Sequence, residues 1–311
     1  MLTILSVTGP IFILIALGFG AVHQGVLDRS DMKGLGGFVI NFALPPLLFN
    51  AMAQRSLAEA MNFRLLLAYA LGSLGVVAAG LMIVCIVQKR SLRSGAIVTM
   101  GMALSNSAFI GFPVAQQLLG KEASAMLALY AAVENMLMLP LLLTLAEIGE
   151  KDGGHWTQVM RGILKRLLKN PMILAIILGV GFSASRLSLP LPIARAFDML
   201  SGASAPVALF CIGGTLAGLS LKGMAGDIGT VVIGKLILHP LAVLAAFFFL
   251  PFDNPTLKTA AIINAGMPML SIYPLLGQKY GQEGICAAAL VVATIMSFFS
   301  ISAWLWLTGA G

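Results

Sequence analysis

The chain has 311 residues, of which 59% are apolar and only 10% charged, and its mean hydropathy is +0.97. Soluble domains carry about 25% charged residues, so lipid and not water is the expected solvent for most of this surface. The net charge of +7 comes from 19 basic residues scattered between apolar runs. That pattern is typical of membrane topology signals and excludes the concentrated basic face of a nucleic-acid-binding protein.

Ten apolar stretches, here called spans 1 to 10, follow one another along the chain. A membrane-spanning helix needs about 20 such residues, and we expect span 1 to be a retained helix and not a signal peptide. The sequence predicts an all-α membrane protein with ten transmembrane helices. The stretches are 1–27, 34–54, 65–88, 94–120, 123–148, 170–185, 199–221, 228–250, 259–278 and 284–311.

The longest joint between spans, residues 149–169, is predicted to be a linker with a basic, amphipathic end that lies on the membrane surface. It separates a first half, residues 1–148, from a second half, residues 170–311. The odd-numbered joints hold 12 Lys and Arg and the even-numbered ones 6. Since basic joints face the cytoplasm, we expect a multi-pass protein of the cytoplasmic membrane with its linker inside and both termini outside.

The two halves are related by a constant offset of 161 residues. The same residue type recurs at this offset in Pro10 and Pro171, Pro45 and Pro206, Pro113 and Pro274, Gly18 and Gly179, and Phe49 and Phe210. Because five spans is an odd number, the second half enters the membrane in the opposite sense. This predicts an inverted-topology repeat, which is typical of transporters. Repeats also occur in channels, so the offset alone leaves carrier and pore open.

Spans 4 and 9 contain the glycines and prolines that mark a broken helix. Proline removes a backbone hydrogen bond, and in lipid the freed groups need protein, water or ligand. A half-helix N-terminus favours an anion, so these spans predict a site for a small carboxylate. The alternative is a pair of packing kinks in which Asn and Ser join neighbouring helices. The candidate residues are Ser105, Asn106, Ser107, Phe109, Pro113, Asn264, Met267, Pro268 and Tyr273.

Polar and ionisable residues in other spans extend this hypothesis. In span 2, Asn41 and Pro45 either line the same cavity or form a simple kink. Intramembrane charges are functional candidates, and Glu134 with Lys235 predicts a buried ion pair. His239 lies one turn after Lys235 and is a candidate proton carrier. The alternative for Lys235 is an interfacial position reached by snorkelling.

Four kinds of protein are compared for this sequence. We predict a secondary carrier of a small organic anion, without cofactor or metal. A Na⁺- or H⁺-coupled transporter of the bile-acid-symporter or antiporter type is the alternative, although spans 4 and 9 hold no Asp or Glu for a dedicated cation site. An enzyme is not favoured because HExxH, GxSxG and paired intramembrane aspartates are all missing. No filter-like sequence supports a channel.

Two segments of this sequence resemble the auxin efflux carrier family. The run SNSAFIGFPVAQQLLG resembles the family's first-half Asn–x4–Gly–x–Pro segment at Asn106, Gly111 and Pro113. The run AGMPMLSIYPLLGQKYG resembles its second-half segment at Met267, Pro268, Tyr273, Tyr280 and Gly281.

This resemblance covers nearly the whole chain. It implies two inverted five-helix repeats with crossing, proline-broken helices 4 and 9, as in bile-acid symporters and sodium–proton antiporters. It also implies a scaffold part, a moving part, often a homodimer, and transport of organic anions: auxin in plants, malonate- or malate-like acids in bacteria. The short central joint and Pro274 depart from the family pattern and favour a prokaryotic-type carrier.

Overall fold

The computed structural model describes residues 2–53, 62–149, 168–185, 189–217 and 225–309. All regular secondary structure within these ranges is helical. The predicted linker lies outside the described residues except at its ends. Most of its predicted amphipathic segment therefore also lies outside them.

The helices are numbered α1 to α10 in chain order, with letters where one helix is interrupted. The first half contains α1 (Leu2–His23), α2 (Arg29–Ala53), α3 (Phe63–Val87), α4a (Leu92–Ala103), α4b (Ser107–Gly111 continued by Phe112–Leu119) and α5 (Ala123–Ile148). The second half contains α6 (Pro171–Ala184), α7 (Leu191–Leu216), α8 (Gly226–Phe249), α9a (Pro255–Ala265), α9b (Tyr273–Gln278) and α10 (Glu283–Leu307).

Among the described residues, seven helices are long and apolar enough to cross a membrane: α2, α3, α5, α7, α8, α10, and α4 counted through its interruption. Shorter apolar helices lie in α1 and α6, and α9 is divided into pieces of 11 and 6 residues. Large apolar side chains such as Phe249, which is 84% exposed, face outward as lipid contacts would. An all-helical protein of several membrane helices is therefore confirmed, while the count of ten spans stays a prediction.

Two helices, α6 and α9a, begin with an Asn–Pro pair, which fixes their starts. Asn170 caps α6 by accepting a hydrogen bond from the Met172 amide at 3.0 Å, and Asn254 caps α9a by accepting from the Leu257 amide at 3.0 Å. The proline that follows each asparagine takes the first helical position, where no backbone donor is needed.

Prolines inside the predicted spans shape the helices through π-helical turns. The turns Val39–Ala43, Ser107–Gly111, Val133–Met138 and Gly234–Leu238 each end two residues before a proline. Proline lacks an amide hydrogen and clashes with the carbonyl one turn earlier, and a widened turn relieves both problems. Most of these helices therefore continue past their prolines.

The helices pack in two groups. One contains α1, α2, α6 and α7, in which α1 packs on α7 and α6 packs on α2. The other contains α3, α4, α5, α8, α9 and α10. In the window of α4 that would cross the membrane, 94% of residues are buried, against 39% for α3. Helix α4 thus lies at the centre of the bundle.

Glycines allow close helix contacts in the first group. A Cβ added to Gly18 of α1 would lie 1.9 Å from the Phe210 carbonyl oxygen of α7. A Cβ added to Gly179 of α6 would lie 2.7 Å from the Phe49 carbonyl oxygen of α2. Small residues at such positions let helix backbones approach in membrane proteins.

Candidate functional site

The interruptions of α4 (residues 104–106) and α9 (residues 266–272) contact each other in the buried interior, and this place of contact is called the crossing below. The Asn106 backbone amide donates to the Pro268 carbonyl at 2.8 Å, and its Nδ2 donates to the Ser271 hydroxyl at 2.8 Å. Its Oδ1 accepts from the Phe109 amide at 3.3 Å, as an N-cap residue does. Asn106 therefore ties the two interruptions together and satisfies backbone groups that a broken helix leaves free.

The glycine of the Asn–x4–Gly–x–Pro segment has a steric role at this crossing. A Cβ at Gly111 would lie 2.3 Å from Asn264 Oδ1, which is too close for two non-bonded atoms. Glycine thus lets α4b approach the end of α9a. Pro113 is buried within α4b, past its π-helical turn, so the interruption of α4 precedes the proline by seven residues.

Glu134 of α5, which is only 4% exposed, is the centre of a buried hydrogen-bond network. Its Oε1 accepts from the Tyr69 hydroxyl at 2.7 Å and from the Ser107 hydroxyl at 2.7 Å. Asn264 Nδ2 donates to both of these hydroxyl oxygens, at 2.9 Å and 2.8 Å. The network joins α3, α4b, α5 and α9a, and every hydroxyl in it points its proton toward the carboxylate.

Lys235 of α8 forms a second buried network and is fully shielded from solvent. Its Nζ lies 2.6 Å from Ser105 Oγ, 2.7 Å from the Ala265 carbonyl oxygen and 2.7 Å from His239 Nδ1. His239 Nε2 lies 2.9 Å from Ser73 Oγ. An ammonium group has three donors and no acceptor, so His239 Nδ1 accepts from Lys235 and its Nε2 donates to Ser73.

Glu134 and Lys235, predicted as a pair, are connected through hydroxyl groups and not by direct contact in the described part of the chain. Ser105 Oγ accepts from Lys235 and lies 3.4 Å from the Tyr69 hydroxyl, which in turn donates to Glu134. The two opposite charges therefore belong to one continuous network in the interior. Lys235 is not an interfacial, snorkelling lysine, because its ammonium group is buried and fully bonded.

A cavity of about 920 Å³ leads from the crossing to the end of the bundle where α2, α6 and α10 begin. Four predicted residues, Asn106, Ser107, Phe109 and Glu134, line its inner part. Apolar side chains form much of the remaining wall. Arg29, Lys33 and Glu283 place charges nearer the open end.

The other predicted residues do not line the cavity. Asn41 is exposed and donates to the Gly37 carbonyl one turn earlier. The Tyr273 hydroxyl donates to the Ile97 carbonyl at 3.0 Å. The remaining members, which contribute to the crossing, the networks or the packing without lining the cavity, are Ser105, Pro45, Pro113, Asn264, Met267, Pro268, Lys235 and His239.

Sequence reasoning missed several polar residues of the site. Arg29 and Lys33, one turn apart at the start of α2, line the cavity, although the sequence pattern indicates only topology charges at these positions. Tyr69 and Ser73 complete the two networks from α3. A usable signal was present, because these two residues are also one helical turn apart and share a face of an otherwise apolar span.

Comparison with known proteins gives matches along almost the whole chain. The family described as membrane transport protein matches residues 4–305. A protein of Rhizobium meliloti (strain 1021) named "Putative malonate transporter" is 29% identical over 305 residues, which cover 97% of this chain and 95% of that protein. An "Uncharacterized transporter" of Methanothermobacter thermautotrophicus is 28% identical over 309 residues, which cover 97% and 96%.

A third relative is longer than this chain. The "Lysosomal cholesterol signaling protein" of Mus musculus is 25% identical over 322 residues, which cover 94% of this chain but only 36% of that protein. Since the family match extends over nearly all described helices and includes both interruptions, the resemblance noted in the sequence is confirmed. The chain belongs to the membrane transport protein family, the family of the auxin efflux carriers.

Proposed function

We propose that this protein is a secondary carrier that moves a small organic anion across the cytoplasmic membrane by alternating access. The main support for this proposal is that Ser107 and Ala108, the first residues of α4b, line the cavity. The first amides of a helix have no partner within it, and the helix dipole favours negative charge there. A carboxylate is the ligand chemistry that fits this position.

The rest of the cavity suits the same class of ligand. Arg29 and Lys33 supply positive charge, which raises the local concentration of anions. Phe109, Leu127 and Leu270 offer apolar surface to a carbon skeleton. A volume of about 920 Å³ lies within the usual range for small-molecule sites. Malonate- or malate-like acids and auxin-like aromatic acids are the substrates we propose.

The relatives support this class of substrate. The Rhizobium meliloti protein is named for malonate, a small dicarboxylate, and aligns with this chain from end to end. We therefore place dicarboxylates first among the candidate substrates. The homodimer implied by the family resemblance remains part of the proposal.

We infer that the two halves form an inverted repeat, which would supply the two states of alternating access. The support comes from contacts related by the offset of 161. Gly18 packs on the Phe210 carbonyl, and the equivalent Gly179 packs on the carbonyl of the equivalent Phe49. Helix α1 on α7 and helix α6 on α2 are likewise equivalent pairs.

The orientation of the cavity follows from the predicted topology. Helices α2, α6 and α10 begin at joints that the Lys and Arg distribution assigns to the cytoplasm. The cavity would then be open to the cytoplasm, with both termini outside. An anion leaving the cytoplasm gains about 2.3 kcal/mol per charge per 100 mV, so export needs no coupled ion.

One observation favours the alternative of proton-coupled transport. Glu134 lines the cavity, and its carboxylate would repel a bound anion in the low dielectric of the interior. A proton taken up by Glu134 together with the substrate would remove this repulsion. Uptake driven by an inward proton gradient, and lost in Glu134→Gln, would distinguish this mechanism from uncoupled export.

Counterflow in proteoliposomes tests the main proposal. Vesicles with purified protein, loaded with unlabelled acid, should accumulate radiolabelled malonate, malate or indole-3-acetate with saturation. Asn106→Ala should reduce this flux about tenfold or more, because the crossing loses the two hydrogen bonds made by the Asn106 side chain. Asn254→Ala removes an asparagine from the start of α9a, outside the site, and serves as the matched control.

Each outcome of this experiment has a distinct meaning. No saturable flux of any acid would remove the proposed substrate class. Normal flux in Asn106→Ala would keep the carrier but move its site away from the crossing.

A further inference from the structure

The ammonium group of Lys235 has an unusually complete set of partners for a lysine inside a membrane helix. Its three acceptors, Ser105 Oγ, the Ala265 carbonyl oxygen and His239 Nδ1, all lie within 2.7 Å. Three donors thus meet three acceptors, with no exposed surface. The three acceptors surround the ammonium group as the ligands of a bound cation would, but this cation is part of a lysine side chain.

The acceptors of Lys235 lie where transporters with discontinuous helices bind a coupling ion. Ser105 belongs to the interruption of α4, and Ala265 is the last residue of α9a. The C-terminal end of a helix carries partial negative charge. In transporters with discontinuous helices, unwound carbonyls and half-helix C-termini coordinate the coupling Na⁺ or H⁺. Lys235 places its charge where such an ion would bind.

The charge balance of the interior agrees with this position. Glu134 supplies one buried negative charge, and Lys235 supplies the positive charge through the bridge of Ser105 and Tyr69. A sodium ion added to the same carbonyl and hydroxyl oxygens would stand beside the ammonium group without compensation. Like charges this close are strongly unfavourable in a low-dielectric interior.

We propose that Lys235 is a tethered replacement for a coupling sodium ion, so that the carrier works without Na⁺. Removing the ammonium group opens a monovalent-cation site formed by Ser105 Oγ, the Ala265 carbonyl and His239. Na⁺ would enter with water, and a small primary ammonium would restore the missing hydrogen bonds. This inference deepens the proposed carrier function and rests on it for its meaning in transport.

Thermal unfolding of the purified protein in detergent tests the proposal without a substrate. At constant ionic strength, exchange of choline for Na⁺ should leave the Tm of the wild type unchanged. Lys235→Ala should unfold at a lower temperature in choline, and Na⁺ or ethylammonium should raise its Tm with saturation by about 2 °C or more. Equilibrium binding of ²²Na⁺ should detect a site in Lys235→Ala and none in the wild type.

Two control variants separate a cation site from a simple void. Lys235→Met fills the space without leaving room for an ion, so its Tm should not respond to either cation. Lys258→Ala, outside the network and stacked over Phe247, should behave as the wild type does.

Three results would overturn the proposal. Stabilisation of the wild type by Na⁺ would mean that a cation site exists beside the lysine. A Tm of Lys235→Ala in choline equal to that of the wild type would show that the ammonium group has no such role. A Lys235→Ala protein that neither cation stabilises would exclude the site. If this variant folds poorly, Na⁺ stabilisation or ²²Na⁺ binding of the wild type would still overturn the proposal. Failure of acid transport alone would leave all these results interpretable.

Discussion

At the scale of single residues, the interior is organised by directed hydrogen bonds around two opposite charges. Asn264 donates to the hydroxyls of Tyr69 and Ser107, which obliges both hydroxyls to donate onward to Glu134. Buried polar networks are favourable only when their members are satisfied. The charges tolerate burial because each has its own set of partners and the two are linked.

Substitution of Glu134 by alanine should destabilise the protein strongly. The change leaves the Tyr69 and Ser107 hydroxyls without an acceptor and the Lys235 charge without compensation. Removing one partner of a buried charge pair costs about 3–5 kcal/mol. Thermal unfolding followed by tryptophan fluorescence should show a large decrease in Tm. Glu122→Ala, at an exposed position before α5, should change the Tm little, and equal shifts for both variants would contradict the network.

The sequence alone predicted the charged members of the two networks and the hydroxyl partners Ser105 and Ser107, but not Tyr69 and Ser73 of α3. Glu134, Lys235 and Asn264 stand out because such residues are rare in apolar spans. Tyr69 and Ser73 share a helix face, but this signal is weaker than that of a charged residue in an apolar span. The partners of Tyr69 lie 65 and 195 residues away in the chain. Such distant contacts depend on how α3, α5 and α9a pack, which no local pattern records.

At the scale of helices, prolines indicated the irregular segments but not their form. Pro113 predicted a broken helix, yet the interruption lies at residues 104–106 and the proline follows a π-helical turn. The same form recurs around Glu134 and Lys235, which both lie in π-helical turns. Wider turns are frequent at functional sites. Proline therefore locates irregularity to within about two turns, and packing decides where the backbone opens.

Four glycines test the equivalence of the two halves. Gly18→Ala and Gly179→Ala force a methyl group onto a carbonyl of the facing helix and should destabilise the protein by about 1–3 kcal/mol each. Gly20 and Gly181, also 161 residues apart, have open space around a new Cβ. Alanine there should be neutral or stabilise by up to about 1 kcal/mol. The Tm values of the four purified variants measure these effects.

The informative comparison is between the two variants at positions that are 161 residues apart. An inverted repeat requires Gly18 and Gly179 to respond alike and Gly20 and Gly181 to respond alike. A sensitive Gly18 with a tolerant Gly179 would show that the two halves are not packed equivalently.

At the scale of the whole molecule, the apolar composition and the placement of charges between long apolar stretches predicted a helical membrane protein. This succeeds because lipid imposes the same requirement on every span. In a membrane, backbone groups must be satisfied within the segment, so long apolar stretches become helices. The cavity was not predictable in the same way. Predicted residues of α4b and α5 line its inner part, but its outer part depends on how α2, α6 and α10 begin around it. No local pattern indicates that Arg29 and Lys33 line that part.

Cysteine labelling can determine the side of the membrane to which this cavity opens. In a variant without native cysteines, Lys33→Cys should react with a membrane-impermeant maleimide in inverted vesicles and not in intact spheroplasts, because α2 begins at a joint assigned to the cytoplasm. Thr256→Cys, exposed at the start of α9a, should show the opposite pattern, since its joint is assigned to the outside. The reversed pair of results would turn both termini inward and open the cavity to the exterior, so that the structure would represent a state ready for uptake. Labelling of both cysteines from one side would contradict the predicted number of spans between them, and with it the inverted repeat.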